Sequence, residues 1–214
     1  DASVVLRADL GGLCWEAIEA GDQEAAAFYH PRYSSTQRGG RDFVETWCLA
    51  TRSGNPFFLR WRDSLQELLH NRVDVDGLAQ HPLYEQVYLP GADRLNLEFP
   101  DFDGDFREHL AAHAMYARLL ELDEGLRLQW NEAWLLLNAE ESALALQTFA
   151  HRHGTSVEQL LLGAAEEAET VLQGGGLLKL TAKHCGRLLH EPRERLLDQR
   201  TLLGRLLGPG RGGR

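Results

Sequence analysis

The sequence lacks the features that mark several classes of protein. Its apolar runs are all shorter than the roughly 20 residues of a membrane helix, and no basic and apolar leader follows Asp1, so we expect neither a membrane segment nor a signal peptide. Cations are few: 22 Lys and Arg stand against 32 Asp and Glu, a formal charge of −10. This balance argues against a general nucleic-acid binder, which needs a basic surface.

Cysteine is also scarce, with Cys14, Cys48 and Cys185 far apart in the chain. Such spacing favours reduced thiols over a disulfide framework, and so favours a reducing, cytoplasmic compartment. Hydrophobic residues make up 43% of the chain and charged residues 25%, as in ordinary globular proteins. A chain of 214 residues can form one domain, or one lobe of a larger domain.

The first 50 residues predict short strands separated by polar segments. Ala2–Leu6, Ala25–His30 and Phe43–Ala50 have the apolar and β-branched composition of strands. A short helix is expected between Asp9 and Gly21, and residues 32–41 are typical of a loop. The chain starts without Met in a strand-like segment, so we expect it to be truncated at its amino terminus.

The segment after these strands predicts a helix with a well-defined start. Asn55 is a good N-cap residue, and Pro56 suits the first helical position. Phe58, Trp61 and Leu65 then recur at helical spacing. In the strand before it, Glu45 shares a face with Trp47 under strict alternation. A carboxylate on such a face is costly unless it is paired or faces a cleft.

Beyond residue 72 the pattern becomes irregular and then helical. Pro90 and Gly91 are among the breakers that suggest no regular element over residues 73–103, whereas helix is expected from Asp105 onward. One amphipathic helical set includes Leu137, and a capping box at Thr155–Glu158 opens a helix that runs to Val171. A strand is then predicted over Leu177–Thr181, a helix over Glu194–Leu207 and a disordered tail at 208–214.

Three short sequence patterns follow one another along the chain, and their order is informative. Asp1-Ala2-Ser3, at the end of the first predicted strand, is similar to an Asp-x-Asp-type motif. Glu45-Thr46-Trp47 is followed by Gly54-Asn55-Pro56 and a helix, and Lys179-Leu180-Thr181-Ala182-Lys183 comes near the end. Together they resemble the capsular polysaccharide synthesis family of glycosyltransferases.

The resemblance implies a fold and a reaction. The fold would be α/β and predominantly helical, formed by the later strands and carboxy-terminal helices of a GT-A-like nucleotide-diphospho-sugar transferase, with residues 1–207 as part of a single domain. The reaction would move a sugar from a nucleotide-sugar donor to a hydroxyl of a glycan acceptor. The fragment alone would be inactive, because the nucleotide-binding half of such a domain lies upstream of this chain.

The resemblance also implies roles for individual residues. Asp1, with Ser3 in place of a second carboxylate, would bind a divalent metal, Mn²⁺ or Mg²⁺, which neutralises the leaving diphosphate. Glu45 would orient or deprotonate the acceptor. The expected substrate-binding residues are Trp47, Asn55, Lys179, Thr181, Lys183 and His184.

Other interpretations stay open at this stage. The helical stretch from Asp105 to Leu172 also fits a non-catalytic helical interaction module, and the scattered histidines leave room for a metal hydrolase. Each proposed site residue has a structural alternative: Glu45 as a solvated strand residue, Trp47 as core, and Lys179 as an exposed strand end.

Overall fold

A computed structural model describes residues 4–85, 87–172, 176–181, 186 and 188–208, with the backbone alone for 165–168. The chain is mixed α/β. It divides into two compact units, one formed by residues 14–137 and the other by residues 1–13 with 138–214. The expectation of a single domain over 1–207 stays a prediction. Within the described part of the chain, no helix combines the length and apolar character needed to cross a membrane.

The unit of residues 14–137 contains a small sheet and six helices among its described residues. Its central strand, β2 (Ala25–Tyr29), is buried along most of its length and lies between β3 (Val44–Thr51) and β4 (Trp134–Asn138). The elements are α1 (Glu16–Ala20), β2 (Ala25–Tyr29), β3 (Val44–Thr51), α2 (Pro56–Leu68), α3 (Pro90–Glu98), α4 (Phe106–His109), α5 (Ala111–Leu122), α6 (Glu124–Ala133) and β4 (Trp134–Asn138).

The core of this unit forms where α2 and α5 pack together. Tyr116 and Met115 of α5 are buried, as are Phe57 and Trp61 of α2. Trp61 Nε1 donates to the carbonyl oxygen of Ala112 at 2.8 Å, which fixes the indole ring against α5. Trp61, Trp130 and Trp134 all belong to this core, since they are 5%, 3% and 6% exposed.

The second unit pairs the first and last strands of the chain. Val4 lies opposite Lys179 and Leu6 opposite Leu177 in an antiparallel two-stranded sheet. Leu146, Leu161 and other buried leucines form its core. The elements are β1 (Val4–Leu6), α7 (Ala145–Arg152), α8 (Val157–Leu162), α9 (Ala165–Leu172), β5 (Leu177–Lys179), α10 (Arg193–Leu196) and α11 (Leu202–Leu207).

The strand predictions and the start of α2 are confirmed. The three amino-terminal strands occur where expected, and Asn55 Oδ1 accepts hydrogen bonds from the backbone nitrogens of Phe57 and Phe58 at 3.0 and 3.3 Å. Gly21 ends α1 in a left-handed conformation. Residues 32–41 are irregular except for one tight turn at Thr36–Arg38.

Two predictions in the middle of the chain are wrong. Residues 90–98 form α3, because Pro90 occupies its first turn instead of breaking it. Gly91 is needed there, since a β-carbon would lie 2.5 Å from the Phe43 ring. Leu137 belongs to strand β4, not to a helix, because the short apolar run at 134–138 pairs in the sheet with β2.

The carboxy-terminal predictions need smaller corrections. The capping box at the start of α8 is formed by Ser156 and Gln159, one residue later than predicted. The helix then stops at Gly163, whose backbone is extended, so α8 and α9 are separate. The strand ends at Lys179, and the last helix is divided into α10 and α11. Residues 209–214 of the expected tail lie outside the described residues.

Removing the cap of α2 should destabilise the unit of residues 14–137. We expect Asn55→Ala to lower the free energy of unfolding by about 1 kcal/mol, because two backbone N–H groups lose their acceptor. Asn55→Asp keeps an oxygen at the same place and should retain most of the stability. Urea denaturation of both variants measures this difference, and equal stabilities would contradict the capping role.

Burial of His113 should make stability depend on pH. Burial lowers the pKa of His113 from 6.5 to about 4. An unfolded histidine binds its proton near pH 6.5, so this contribution to stability is present above that pH and is lost as pH falls towards 4. We expect the loss to be about 3 kcal/mol for this side chain. His113→Phe, which keeps the ring stacked on Phe43, should show a correspondingly smaller loss between pH 6.5 and 4 in urea titrations.

Burial also lowers the pKa of His30 to about 4 and raises the pKa of Asp42, and both groups are present in either protein. The difference between wild type and variant therefore isolates His113. Parallel stability curves for the two proteins would show that His113 does not resist protonation.

Candidate functional site

Strand β3 departs from regular pairing at the residues that the sequence singled out. Tyr29 pairs with Val44 and Ala27 pairs with Leu49, so one residue of β2 stands opposite four residues of β3. Glu45, Thr46 and Trp47 lie in this irregular segment. β-Bulges of this kind re-aim side chains and are frequent beside active sites.

Glu45 and Trp47 contact each other within the irregular segment. Trp47 Nε1 donates to Glu45 Oε2 at 2.7 Å, and both side chains are half-buried. The Trp47 ring also stacks on Phe28, with ring centroids 5.0 Å apart. The Glu45 carboxylate was expected to need a partner, and Trp47 is that partner. The Trp47 indole in turn is held from two sides, by Glu45 and by Phe28. The strict alternation that led to this expectation does not hold over 44–49.

A polar cluster forms around Glu98, at the end of α3. The Tyr33 hydroxyl donates to Glu98 Oε2 at 3.2 Å, and Arg32 Nε donates to Glu98 Oε1 at 3.0 Å. Burial and the charge of Glu98 raise the pKa of Tyr33 to about 12, with a further contribution from the Glu45 charge. Tyr33 is therefore a protonated hydroxyl bonded to Glu98, and the charge of Glu45 acts on it.

The sequence does not predict this cluster. Tyr33 and Arg32 fall in a segment typical of a loop, and Glu98 ends α3, a helix without a clear signal in the sequence. No local pattern joins residues 65 positions apart, so only the fold brings Tyr33 to Glu98. The sequence gives one hint of a polar site here, because a cation and an aromatic residue, Arg32 and Tyr33, follow soon after strand β2.

Asn55 has a structural role that accounts for its presence. It is 8% exposed, and its side-chain oxygen serves as the acceptor for the first turn of α2. A contact between Asn55 and a substrate stays a prediction.

The other predicted site residues belong to the second unit. Lys179 ends β5, where its backbone nitrogen donates to the carbonyl oxygen of Ala143 at 2.9 Å and its carbonyl accepts from the Gln147 side chain. Thr181 follows two residues later and is exposed. Because Lys179 lies opposite Val4, the strand that follows the Asp1–Ser3 motif runs beside the strand that carries the lysine motif.

The predicted metal ligands and part of the lysine motif cannot be located. Asp1, Ser3, Lys183 and His184 lie outside the described residues. Within the described part, no group of three His, Cys, Asp or Glu side chains is arranged to hold a metal ion. The metal and its ligands stay predictions. Cys14 and Cys48 are free thiols, and burial raises the pKa of both.

A groove of about 740 Å³ runs along α2, and we refer to it as the α2 groove. Strand β3 supplies one wall through Thr46, which lies in its irregular part, and Leu49, which follows that part. These two residues are three apart, and both can face the groove because the segment between them is not a regular strand. Glu45 and Trp47 are not among the described residues that line it.

Comparison with known proteins gives one distant similarity. The chain is 24% identical over 189 residues to a protein of Annulohypoxylon truncatum named "O-glycosyltransferase braB", with 84% of this chain aligned. The chain spans 42% of the length of that relative. No family model matches the chain, and no solved structure matches it. The similarity is to a glycosyltransferase and carries no information about a capsular polysaccharide family.

The hydrogen bond between Trp47 and Glu45 can be measured in a double-mutant cycle. Trp47→Phe keeps a ring for Phe28 but removes the donor, and Glu45→Ala removes the acceptor. We expect a coupling free energy of about 1 kcal/mol, because the bond is charge-assisted but half-exposed. A cycle that combines Trp47→Phe with Glu67→Ala, an exposed residue of α2, should give no coupling. Equal coupling in both cycles would contradict a specific contact.

Proposed function

We propose that this protein takes part in transferring a sugar from a nucleoside-diphosphate sugar to a hydroxyl group. The similarity over 189 residues to a protein named as an O-glycosyltransferase carries this proposal. The Glu45–Trp47 pair supports it, because it joins a carboxylate to an aromatic ring in an irregular strand segment. The proposal also includes a GT-A-like fold, a position of this chain at the carboxy-terminal end of a longer domain, and the use of a nucleotide sugar.

Glu45 is the proposed base for the acceptor. As the acceptor oxygen attacks the anomeric carbon, its proton passes to the Glu45 carboxylate and the bond to the diphosphate oxygen breaks. The hydrogen bond from Trp47 holds Oε2 in a fixed position, which reduces the cost of orienting the base. The charge of Glu45 acts on Tyr33, which bonds to Glu98, so this hydroxyl and second carboxylate are a proposed further part of the site.

Lys179 and Thr181 are the proposed contacts of the leaving diphosphate, together with Lys183 and His184. Cationic and hydroxyl donors stabilise the negative charge that develops on the leaving group. The fixed backbone of Lys179 supports this role, because an anchored strand end presents its side chain from a defined position.

A divalent metal, Mn²⁺ or Mg²⁺, is proposed to share this task, with Asp1 and Ser3 as its ligands. When bound, the metal would neutralise phosphate oxygens. One carboxylate and one hydroxyl form a weak set of ligands for a hard cation, so phosphate oxygens of the donor would have to complete the coordination.

An assay of donor turnover tests the proposal. The 214-residue chain and the full product of the gene that encodes it are incubated with a panel of nucleotide sugars and Mn²⁺. We expect Glu45→Gln to lower kcat/KM at least about 100-fold, because a neutral amide cannot accept the proton. Calorimetry with UDP and GDP measures donor binding separately, and this binding should be unchanged in Glu45→Gln.

Glu67→Gln is the matched control, since Glu67 is an exposed glutamate on α2 outside the site. Its activity should equal that of wild type. If Glu45→Gln is fully active, Glu45 is not the base. If the full gene product neither binds a nucleoside diphosphate nor turns over any donor, glycosyl transfer itself is excluded.

A further inference from the structure

The α2 groove has two chemically different edges. Its apolar edge consists of residues three or four apart on one face of the helix, namely Phe58, Trp61, Leu65 and Leu69. The next row along the same helix is polar, with Arg62, Gln66 and His70. Asn71 closes this row in a left-handed conformation with φ 59°. An apolar surface therefore lies directly beside a row of hydrogen-bonding groups.

The apolar edge is held rigidly by the core beneath it. The Trp61 indole is fixed by its hydrogen bond to Ala112, a residue that also lines the groove. Phe58 stacks on Trp134 with an interplanar angle of 10° and ring centroids 5.3 Å apart. A preformed apolar surface loses little conformational entropy when a ligand binds.

The groove is unsuited to a cationic ligand or to a ligand that is polar along its whole length. None of the described residues that line it is an aspartate or a glutamate. A glycan chain would leave most of its hydroxyls without partners against the apolar edge, which carries an energetic cost. The volume lies within the range of pockets that bind small molecules, roughly 300–1,000 Å³.

We propose that the α2 groove binds a small, largely apolar molecule that carries a hydroxyl group. Its carbon skeleton lies on Phe58, Trp61 and Leu65, and its hydroxyl reaches the polar row at Gln66 and His70. This binding site does not depend on the proposed function, because Glu45 is not among the described residues that line the groove, whereas its chain neighbour Thr46 is.

Binding of two probes tests the groove directly. 2-Naphthol represents an apolar hydroxyl compound and cellopentaose represents a glycan, and calorimetry measures the affinity of the chain for each. We expect 2-naphthol to bind and cellopentaose not to bind. Thr46→Trp, which fills the groove from the strand wall, and Leu69→Gln, which removes apolar surface, should each weaken 2-naphthol binding about tenfold or more.

Leu59→Gln is the matched control for Leu69→Gln. Both leucines belong to the α2 segment and they are 40% and 41% exposed, but Leu59 does not line the groove. The affinity for 2-naphthol should stay unchanged in this variant. Circular dichroism and thermal melting of all variants identify any that fail to fold, and a folded Leu69→Gln provides the result if Thr46→Trp does not fold.

The possible outcomes are distinct. If 2-naphthol does not bind, or binds equally well to wild type and to folded Leu69→Gln, the groove is not its site and the proposal is overturned. If cellopentaose binds and Leu69→Gln weakens that binding, the groove is a glycan site and the proposal is overturned. If 2-naphthol binds in the groove but the full gene product transfers no sugar, the binding site stands and glycosyl transfer fails.

Discussion

The packing of α2 against α5 and the sheet is the constraint on which the rest of the first unit depends. Phe57 is completely buried, and its ring contacts both Tyr116 and Trp134 with centroids 5.3 and 5.0 Å away. Such aromatic contacts combine large buried areas with defined geometry. Because the buried face of α2 is fixed in this way, its outer face has a fixed position too. The α2 groove is therefore a consequence of the core.

The irregular segment of β3 is the second constraint. A regular strand would place Glu45 and Trp47 on one face and Thr46 on the other along its whole length. The shift in pairing between β2 and β3 breaks this pattern, so Thr46 and Leu49 reach the groove while Trp47 bonds to Glu45. The energy of the lost ladder bonds is offset in part by the Trp47 hydrogen bond and by its stacking on Phe28. The wall of the groove thus depends on this local departure from sheet geometry.

Predictions from local signals succeeded where the deciding interaction lies within a few residues. Asn55 caps its own helix, Gly21 ends its own helix, and the short apolar strands are recognisable from composition. Glu45 and Trp47 were expected only to share a strand face; the hydrogen bond between them is a finding of the structure. Predictions failed where the partner is remote. Gly91 is required in α3 because the Phe43 ring leaves no room for a side chain there. The run at 134–138 becomes a strand because β2 lies beside it.

The sequence by itself determined the start of α2, the positions of the amino-terminal strands and the residues able to act as acid, base or sugar contact, since helix caps, apolar patterns and functional groups are local properties. Only the tertiary structure decided that Tyr33 meets Glu98, that β1 pairs with β5 beside Lys179, and that the exposed side of α2 forms a groove with Thr46. These contacts join residues dozens of positions apart. Their free energy comes from burying surfaces that meet only after the chain has folded, and no local pattern records it.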